Sequence, residues 1–281
     1  MLARWRRPGW RGAPYYFAYW AVMGVALPFL NNYFHRLGLS GFQIGILSAL
    51  SPLMTLVGGP AISYVADRRR WQKPILFWAL AGIGGALFLL RYPQTFVGLL
   101  PLMVLLAVLR SPIAPIADSL VARSASRHHI DFGNLRLWGS LSFALTSMIS
   151  GALWDRLGFG PMFIVAGLGF LPVMYVSTKL EETQVPPTHT PQSIHRVRRD
   201  KGLLMLLAAS FLIGASEGMY ITFSGVYMDQ LGGGQIMTGA LFGMAALSES
   251  PVMRASGVIS RKLGRPQMVL LGYGLIAIAL F

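Results

Sequence analysis

The chain has 281 residues, of which 54% are hydrophobic and 12% are charged, whereas an ordinary soluble domain is about 45–50% apolar and about 25% charged. This composition excludes a disordered chain and argues against a soluble enzyme. At about 20 apolar residues for each span plus a connection, the length has room for about nine membrane-crossing helices. We therefore predict an all-α, multi-pass integral membrane protein.

The net charge of +14 would indicate a nucleic-acid partner in a soluble protein. Here the basic residues lie in short loops between apolar runs, so we expect a lipid bilayer and no nucleic acid as partner. The chain has no Cys, and it carries no phosphate-binding loop or zinc pattern. We expect no cofactor, no metal and no catalytic residue.

Nine apolar runs predict the membrane spans. They cover residues 15–34, 42–65, 74–92, 96–121, 135–154, 161–178, 203–227 and 236–259, and the ninth begins near Pro266. The chain stops inside the ninth run, where a helix end would leave carbonyl groups unpaired in hydrocarbon. We therefore expect eight full spans and a partial ninth in a chain truncated at its C-terminus.

Basic residues are unequally divided between the two ends of these spans. Nineteen of the 24 Lys and Arg lie on the side of the N-terminus, and three, Arg36, Arg91 and Arg156, lie on the other. Because short loops rich in Lys and Arg stay in the cytoplasm, we predict a plasma (inner) membrane protein with a cytoplasmic N-terminus. The two ends are called the predicted inner end and the predicted outer end below.

An internal repeat with an offset of 194 residues relates the first spans to the seventh and eighth. The aligned pairs are Tyr33 and Tyr227, Leu37 and Leu231, Gly38 and Gly232, Gly45 and Gly239, and Leu47 and Leu241. We predict a six-helix half over 1–179, a cytoplasmic linker over 180–201 and an incomplete second half over 202–281. Parallel halves of this kind are one known transporter architecture.

The loops after the second and eighth spans carry the same pattern. The first reads Ser63-Tyr64-Val65-Ala66-Asp67-Arg68, and the second reads Gly257-Val258-Ile259-Ser260-Arg261-Lys262-Leu263-Gly264-Arg265. Both resemble the signature of the major facilitator superfamily, loosely G-x-x-x-D-R-x-G-R-[RK]. The first copy lacks both glycines of the signature. Ser63 replaces the first glycine, and the second is also absent, although Arg69, Arg70 and Lys73 supply the basic charge of the loop. The second copy has Arg261 in place of the acid.

Three further segments are similar to the branch of phenylpropionate permeases and proton-linked nucleoside symporters, relatives of lactose permease. They are Pro28-Phe29 with Gly38-Leu39-Ser40-x-x-Gln43-Ile44-Gly45, Ser111-Pro112-x-x-Pro115-x-x-Asp118, and Leu135-Arg136-Leu137-Trp138-Gly139-Ser140. The resemblance implies a twelve-helix bundle with a central cavity and alternating access. We expect the complete protein to be a monomer.

Five ionisable residues lie inside the predicted spans, where such a group costs about 2.5–3.5 kcal/mol at mid-helix and marks a functional site by default. They are Arg110, Asp118, Glu217, Glu249 and Arg254. Arg110 could bind a carboxylate with its planar, permanent charge; the alternative is a permanent pair with an acid on another helix. Asn31 and Asn32 are candidates for hydrogen bonds to substrate or for interfacial caps.

Glu217, Glu249 and Asp118 are candidates for proton coupling, because a desolvated carboxyl group exchanges protons near neutral pH. The alternative is that these acids are structural. Gly214 and Gly218 flank Glu217 and would let another backbone approach. Pro112 and Pro115 lack N–H groups, which predicts a bent fourth span beside Asp118.

The loop residues Asp67, Arg68, Arg136, Gly264 and Arg265 are predicted gating or scaffold elements, since charged groups at helix ends can pair in one conformation and separate in another. The leading hypothesis is a secondary transporter, coupled to protons by symport, for a small organic solute such as an aromatic or other carboxylate. Neutral sugars and nucleosides remain alternatives, as do a drug/proton antiporter and a non-transporting receptor. A membrane-embedded enzyme would need a cluster of His, Asp or Ser at one membrane face, and the sequence shows no such cluster.

Overall fold

The computed structural model describes residue 5, residues 7–182 and residues 201–280, and helices joined by short turns make up nearly all of this part. In chain order the helices are α1 (Gly12–Ala26), α2 (Leu30–Arg36), α3 (Gly41–Arg69), α4 (Gln72–Leu89), α5 (Phe96–Arg110), α6 (Ile113–Arg127), α7 (Phe132–Leu157), α8 (Gly160–Ser177), α9 (Lys201–Gln230), α10 (Gly234–Leu263) and α11 (Arg265–Leu280). They confirm the predicted spans to within a few residues, except that the first span already begins with a 3-10 turn at Pro8–Trp10. Within the described ranges, six stretches are long and apolar enough to cross a membrane.

Two of the predicted spans each consist of two helices. The first span contains α1 and α2, separated by a 3-10 turn at Leu27–Phe29 that includes Pro28. The fourth contains α5 and α6, separated at Ser111 and Pro112. A proline cannot donate a backbone hydrogen bond, so it frees a carbonyl one turn earlier. The Ser111 hydroxyl donates to one such carbonyl, that of Val108, at 2.8 Å. The helix is thus interrupted at the prolines, and the bend of the fourth span stays a prediction.

The backbone reproduces the 194-residue repeat. Gly38 and Gly232, which end the first and seventh spans, have φ values of +82° and +83°. Arg70 and Gly264, at the second glycine position of the loop signature, have φ values of +57° and +84°. The first loop therefore keeps the left-handed turn although a side chain replaces the glycine that such a turn favours.

The chain divides into two compact units. The first unit comprises Met1–Thr183 and Gly225–Arg254, and the second comprises Gln184–Ser224 and Ala255–Phe281. In the first unit α1 packs against α7 and α8, α4 packs against α5 and α8, and α3 packs against α5. In the second unit the hydroxyl groups of Ser210 and Tyr273 are hydrogen-bonded.

The predicted halves, 1–179 and 202–281, stay a prediction. Most of the predicted linker 180–201 lies outside the described residues.

Small residues allow α7 and α10 to approach closely. A Cβ atom on Gly151 would lie 2.5 Å from the Gln235 carbonyl oxygen and 3.1 Å from the Gly239 Cα, and one on Gly239 would clash with the Ser147 carbonyl oxygen. One turn further along α10, a Cβ atom on Gly243 would lie 3.0 Å from the Ala144 carbonyl oxygen. The spacing Gly239-x-x-x-Gly243 is typical of close helix contacts in membranes.

Candidate functional site

A cleft at the end of α5 is lined by residues from the first four spans. Its empty space is about 400 Å³, a figure that includes space open to the surroundings, and its lining residues are Met23, Ala26, Leu27, Leu30, Ser51, Ile83, Leu87, Met103, Leu106 and Arg110. Arg110 is the last residue of α5, directly before the break at Ser111 and Pro112. The cleft therefore combines an apolar wall with one guanidinium group and one hydroxyl group.

The Arg110 guanidinium has no hydrogen bond or ion pair to any other residue that the structure describes. The permanent pair with an acid, which was the alternative to a substrate role, is thus not formed within these ranges. A guanidinium in an apolar setting is costly unless a counter-ion joins it. Chemically, the cleft suits a small molecule with an apolar body and one carboxylate.

Asn31 and Asn32 are adjacent in sequence but have different partners. Asn31 accepts a hydrogen bond from the Ser48 hydroxyl at 3.1 Å. The Asn32 amide is fully buried and donates to Gln235 Oε1 at 3.0 Å and to Thr238 Oγ1 at 3.1 Å. Neither residue lines the cleft, and their role in substrate binding stays a prediction.

Asp118, a predicted proton-coupling residue, accepts a hydrogen bond from the Tyr16 hydroxyl at 2.6 Å. Arg136, a predicted gating residue, lies over the rings of Tyr16 and Trp20, with its guanidinium carbon 5.4 and 4.5 Å from their centroids. The fourth and fifth spans thereby both contact the first span through Tyr16. Asp118 thus belongs to a polar and aromatic cluster, and none of its members lines the cleft.

The two other predicted proton-coupling acids, Glu217 on α9 and Glu249 on α10, are both exposed. Glu217 belongs to the second unit, whereas Glu249 belongs to the first. The close backbone approach expected at Gly214 and Gly218 is not made by any described residue, since a Cβ atom at either position would meet nothing within 4 Å. A role in proton coupling stays a prediction for both acids.

The loop signature has local partners at the predicted inner end. Gln72 donates to the Asp67 carboxylate, and Arg68 donates to the Tyr64 hydroxyl at 3.2 Å. Gly264 forms the turn between α10 and α11. The side chains of Arg254 and Arg265 lie outside the described residues, and the gating role of the loops stays a prediction.

A second cluster at the predicted inner end joins the end of the sixth span to the fourth. The Glu181 carboxylate accepts a hydrogen bond from Ser124 at 2.7 Å and lies 3.1 Å from the His128 ring nitrogen. Partial burial by itself raises the pKa of Glu181, but the bonds to Ser124 and His128 and the nearby charge of Arg11 lower this pKa overall. Sequence reasoning missed this cluster because its members lie 53 and 57 residues apart.

Sequence reasoning also missed a polar network at the predicted outer end. Its members are Asn32, Arg36, Asp155, Asp229, Gln235 and Thr238. One signal could have indicated it, because the sequence places just two acids, Asp155 and Asp229, at that end. Both belong to this network.

A family model described as the MFS_1 like family matches residues 10–281. The chain is 30% identical to the maltose permease of Geobacillus stearothermophilus over 262 residues, which cover 92% of this chain and 66% of that protein. It is 24% identical to the probable 3-phenylpropionic acid transporter of Escherichia coli K12 over 91% of this chain and 69% of that protein.

The solved structure of the nucleoside transporter NupG is 14% identical to this chain and superposes with a TM-score of 0.74, over 92% of this chain and 69% of that one. This likeness concerns the fold alone. The chain spans about two thirds of the length of the curated relatives it matches.

Proposed function

The chain belongs to the MFS_1 like family, a branch of the major facilitator superfamily of membrane transporters, and from this premise we propose that it moves a small organic carboxylate across the membrane by proton-coupled symport. The observation that carries the substrate class is the Arg110 guanidinium, which lines a mainly apolar cleft and has no partner among the described residues. A carboxylate would supply the missing counter-ion through a two-pronged hydrogen bond.

The apolar wall of the cleft supports a substrate with a hydrocarbon or aromatic body. A sugar has a hydroxyl group on nearly every carbon, and each of these needs a partner once it leaves water. Besides Arg110, the cleft offers a single polar side chain, Ser51. The name of the E. coli relative, a probable 3-phenylpropionic acid transporter, agrees with a substrate of this class, whereas the name of the maltose permease points to the sugar alternative.

Proton coupling is supported by acids placed at membrane depth by the sequence. Asp118 is held by Tyr16, while Glu217 and Glu249 are exposed on α9 and α10. A carboxyl group that binds a proton in one conformation and releases it in the other would couple proton flow to substrate movement. The proposal assigns this role to one or more of these three acids.

Counterflow in proteoliposomes tests the substrate class. Vesicles containing the protein, expressed from its native gene, are loaded with unlabelled 3-phenylpropionate, maltose or uridine, and entry of the labelled form is measured. We expect exchange of 3-phenylpropionate. Arg110 is half-buried, so we expect Arg110→Ala to reduce this exchange about 30-fold, which corresponds to about 2 kcal/mol, the lower end of the cost of removing one partner of a charge pair. Arg91→Ala, which removes an exposed Arg, is the matched control and leaves exchange unchanged.

Two outcomes would overturn this substrate class. One is exchange of maltose or uridine with none of 3-phenylpropionate. The other is exchange of 3-phenylpropionate that is the same with and without the Arg110 side chain. Proton coupling is tested separately by imposing a pH gradient. A gradient that is acidic outside the vesicles should drive uptake by symport, whereas uptake driven by a gradient that is acidic inside indicates antiport. Proton flux that survives Asp118→Asn, Glu217→Gln and Glu249→Gln alike excludes coupling through these acids.

A further inference from the structure

We propose that the polar network at the predicted outer end is a latch, which holds the adjoining ends of α9 and α10 against the first span and α7. The latch consists of Asn32, Arg36, Asp155, Asp229, Gln235 and Thr238. Its existence depends on neither the substrate nor the proton coupling proposed above, because none of these residues lines the Arg110 cleft.

The latch is a continuous chain of hydrogen bonds that runs from the surface into the interior. Arg36 donates to both carboxylate oxygens of Asp229, at 3.0 and 3.3 Å. Gln235 donates to the same carboxylate at 3.1 Å and accepts from Asn32 at 3.0 Å. Asn32 also donates to Thr238 at 3.1 Å. Gln235 is therefore the hub, because its amide joins the surface ion pair to the buried part.

Burial divides the latch into an outer and an inner part. The Arg36 side chain is 47% exposed and that of Asp229 is 15% exposed, whereas Asn32, Gln235 and Thr238 are 0% exposed. Salt and water weaken an ion pair at the surface. The buried amides are shielded from water, and a buried amide that loses its partner keeps the full penalty of having left water. The inner part should therefore contribute more of the holding energy.

Asp155 fixes the beginning of α10 to the end of α7. Its carboxylate accepts a hydrogen bond from the Gln235 backbone N–H at 3.0 Å, at the N-terminus of α10, where a negative charge is favourable. Gly234 permits this approach, since a Cβ atom there would lie 2.5 Å from Asp155 Oδ1 and its φ of +59° is in the left-handed region. The α7–α10 contact at Gly151 and Gly239 continues directly from this point.

A polar latch can open more easily than an apolar contact of the same size. When the helix ends separate, water can bond to each released amide, carboxylate and guanidinium, so that much of the lost hydrogen bonding is replaced. Separation of an apolar contact offers no such replacement and exposes hydrocarbon to water. The Asn32 amide oxygen is buried without a hydrogen-bond partner in the described structure, so opening would also hydrate a group that the closed latch leaves unpaired. Groups that are hydrogen-bonded to one another when closed and hydrated when open suit an element with two stable arrangements.

Distances between two spin labels, measured by pulsed electron–electron double resonance on the protein in lipid nanodiscs, test the latch. The chain has no native Cys, so spin labels can be attached at Tyr92→Cys and Leu231→Cys, two predicted outer-end positions that are 64% and 63% exposed. The measurement is made without any solute, so a failure of the proposed substrate class does not affect it. We expect one main, short label-to-label distance in the parent.

Three variants in this labelled parent separate the latch from general effects. Gln235→Ala should raise the population with a longer distance about tenfold, since about 1.4 kcal/mol corresponds to a factor of ten. Arg36→Gln should raise it about threefold. Arg156→Gln, which removes an exposed Arg at the same end, should leave the distribution unchanged.

Unchanged distances in both Gln235→Ala and Arg36→Gln would overturn the latch, as would an equal change in Arg156→Gln. If Gln235→Ala loses its helical circular dichroism, the comparison of Arg36→Gln with Arg156→Gln decides, because both replace partly or fully exposed side chains.

Discussion

In the Arg110 cleft a single guanidinium faces apolar side chains and has no partner among the described residues, whereas at the predicted outer end Arg36 shares two hydrogen bonds with Asp229. The two regions adjoin along the first span: Leu30 lines the cleft, and Asn32, two residues later, belongs to the latch. The two regions differ in whether the arginine has a partner within the chain. A cation whose partner is supplied by the chain holds the chain together, and one without such a partner is available to a ligand.

The largest effect is expected where the latch region is most closely packed. Gly239→Leu should lower the apparent Tm by about 6–12 °C, because overpacking by a whole side chain costs about 3 kcal/mol and each kcal/mol is worth about 2–4 °C. Gly45 occupies the equivalent position of the repeat, but a Cβ atom there meets nothing within 4 Å. Gly45→Leu should therefore leave the Tm nearly unchanged. Equal shifts in thermal unfolding would show that the contact between α7 and α10 is not specific.

Two alanine variants compare a side chain that has partners within the chain, Gln235, with one that has none in the described part, Arg110. Gln235→Ala removes the hub of the latch and should destabilise the protein by about 2 kcal/mol. Arg110→Ala removes a side chain without a partner in the described part and should leave the ligand-free Tm within about 1 °C. Thermal unfolding of the two variants without solute measures both effects. A larger loss of stability in Arg110→Ala would mean that Arg110 is a structural residue.

The smallest effect concerns two adjacent tyrosines in α1. The Tyr16 hydroxyl donates to Asp118 at 2.6 Å, whereas the buried Tyr15 hydroxyl has no hydrogen-bond partner in the described structure. Tyr16→Phe should lower stability by about 1 kcal/mol, and Tyr15→Phe should leave it unchanged or raise it. The difference in Tm between the two variants is the measurement. The reverse order would contradict the arrangement around Asp118.

Features determined by local sequence were predictable. The apolar runs are long enough to cross a bilayer, and they located the helices. Pro112 located the break after Arg110, because a missing backbone N–H removes a hydrogen bond within one turn of the helix. The repeat predicted equivalent turns at Gly38 and Gly232, which have nearly the same φ. The family followed from two loop patterns and three further segments.

Features that depend on which helices adjoin were not predictable. Asn32 and Gln235 are 203 residues apart, and no local pattern shows that their helices meet. Asn31 and Asn32 were treated alike, yet consecutive residues of a helix point about 100° apart, and so they have different neighbours. The exposed surroundings of Gly214 and Gly218 show the same difficulty, since small residues permit a close contact without specifying a partner.

Calorimetric titration of the protein with 3-phenylpropionate and with 3-phenylpropionamide tests whether Arg110 binds the carboxylate of a substrate. The two compounds have nearly the same shape and differ in charge. We expect the protein to bind the acid about 30-fold or more tightly than the amide, and we expect Arg110→Ala to abolish this preference while Arg91→Ala retains it. Equal binding of acid and amide by the protein, or a preference that survives Arg110→Ala, would contradict this role of Arg110.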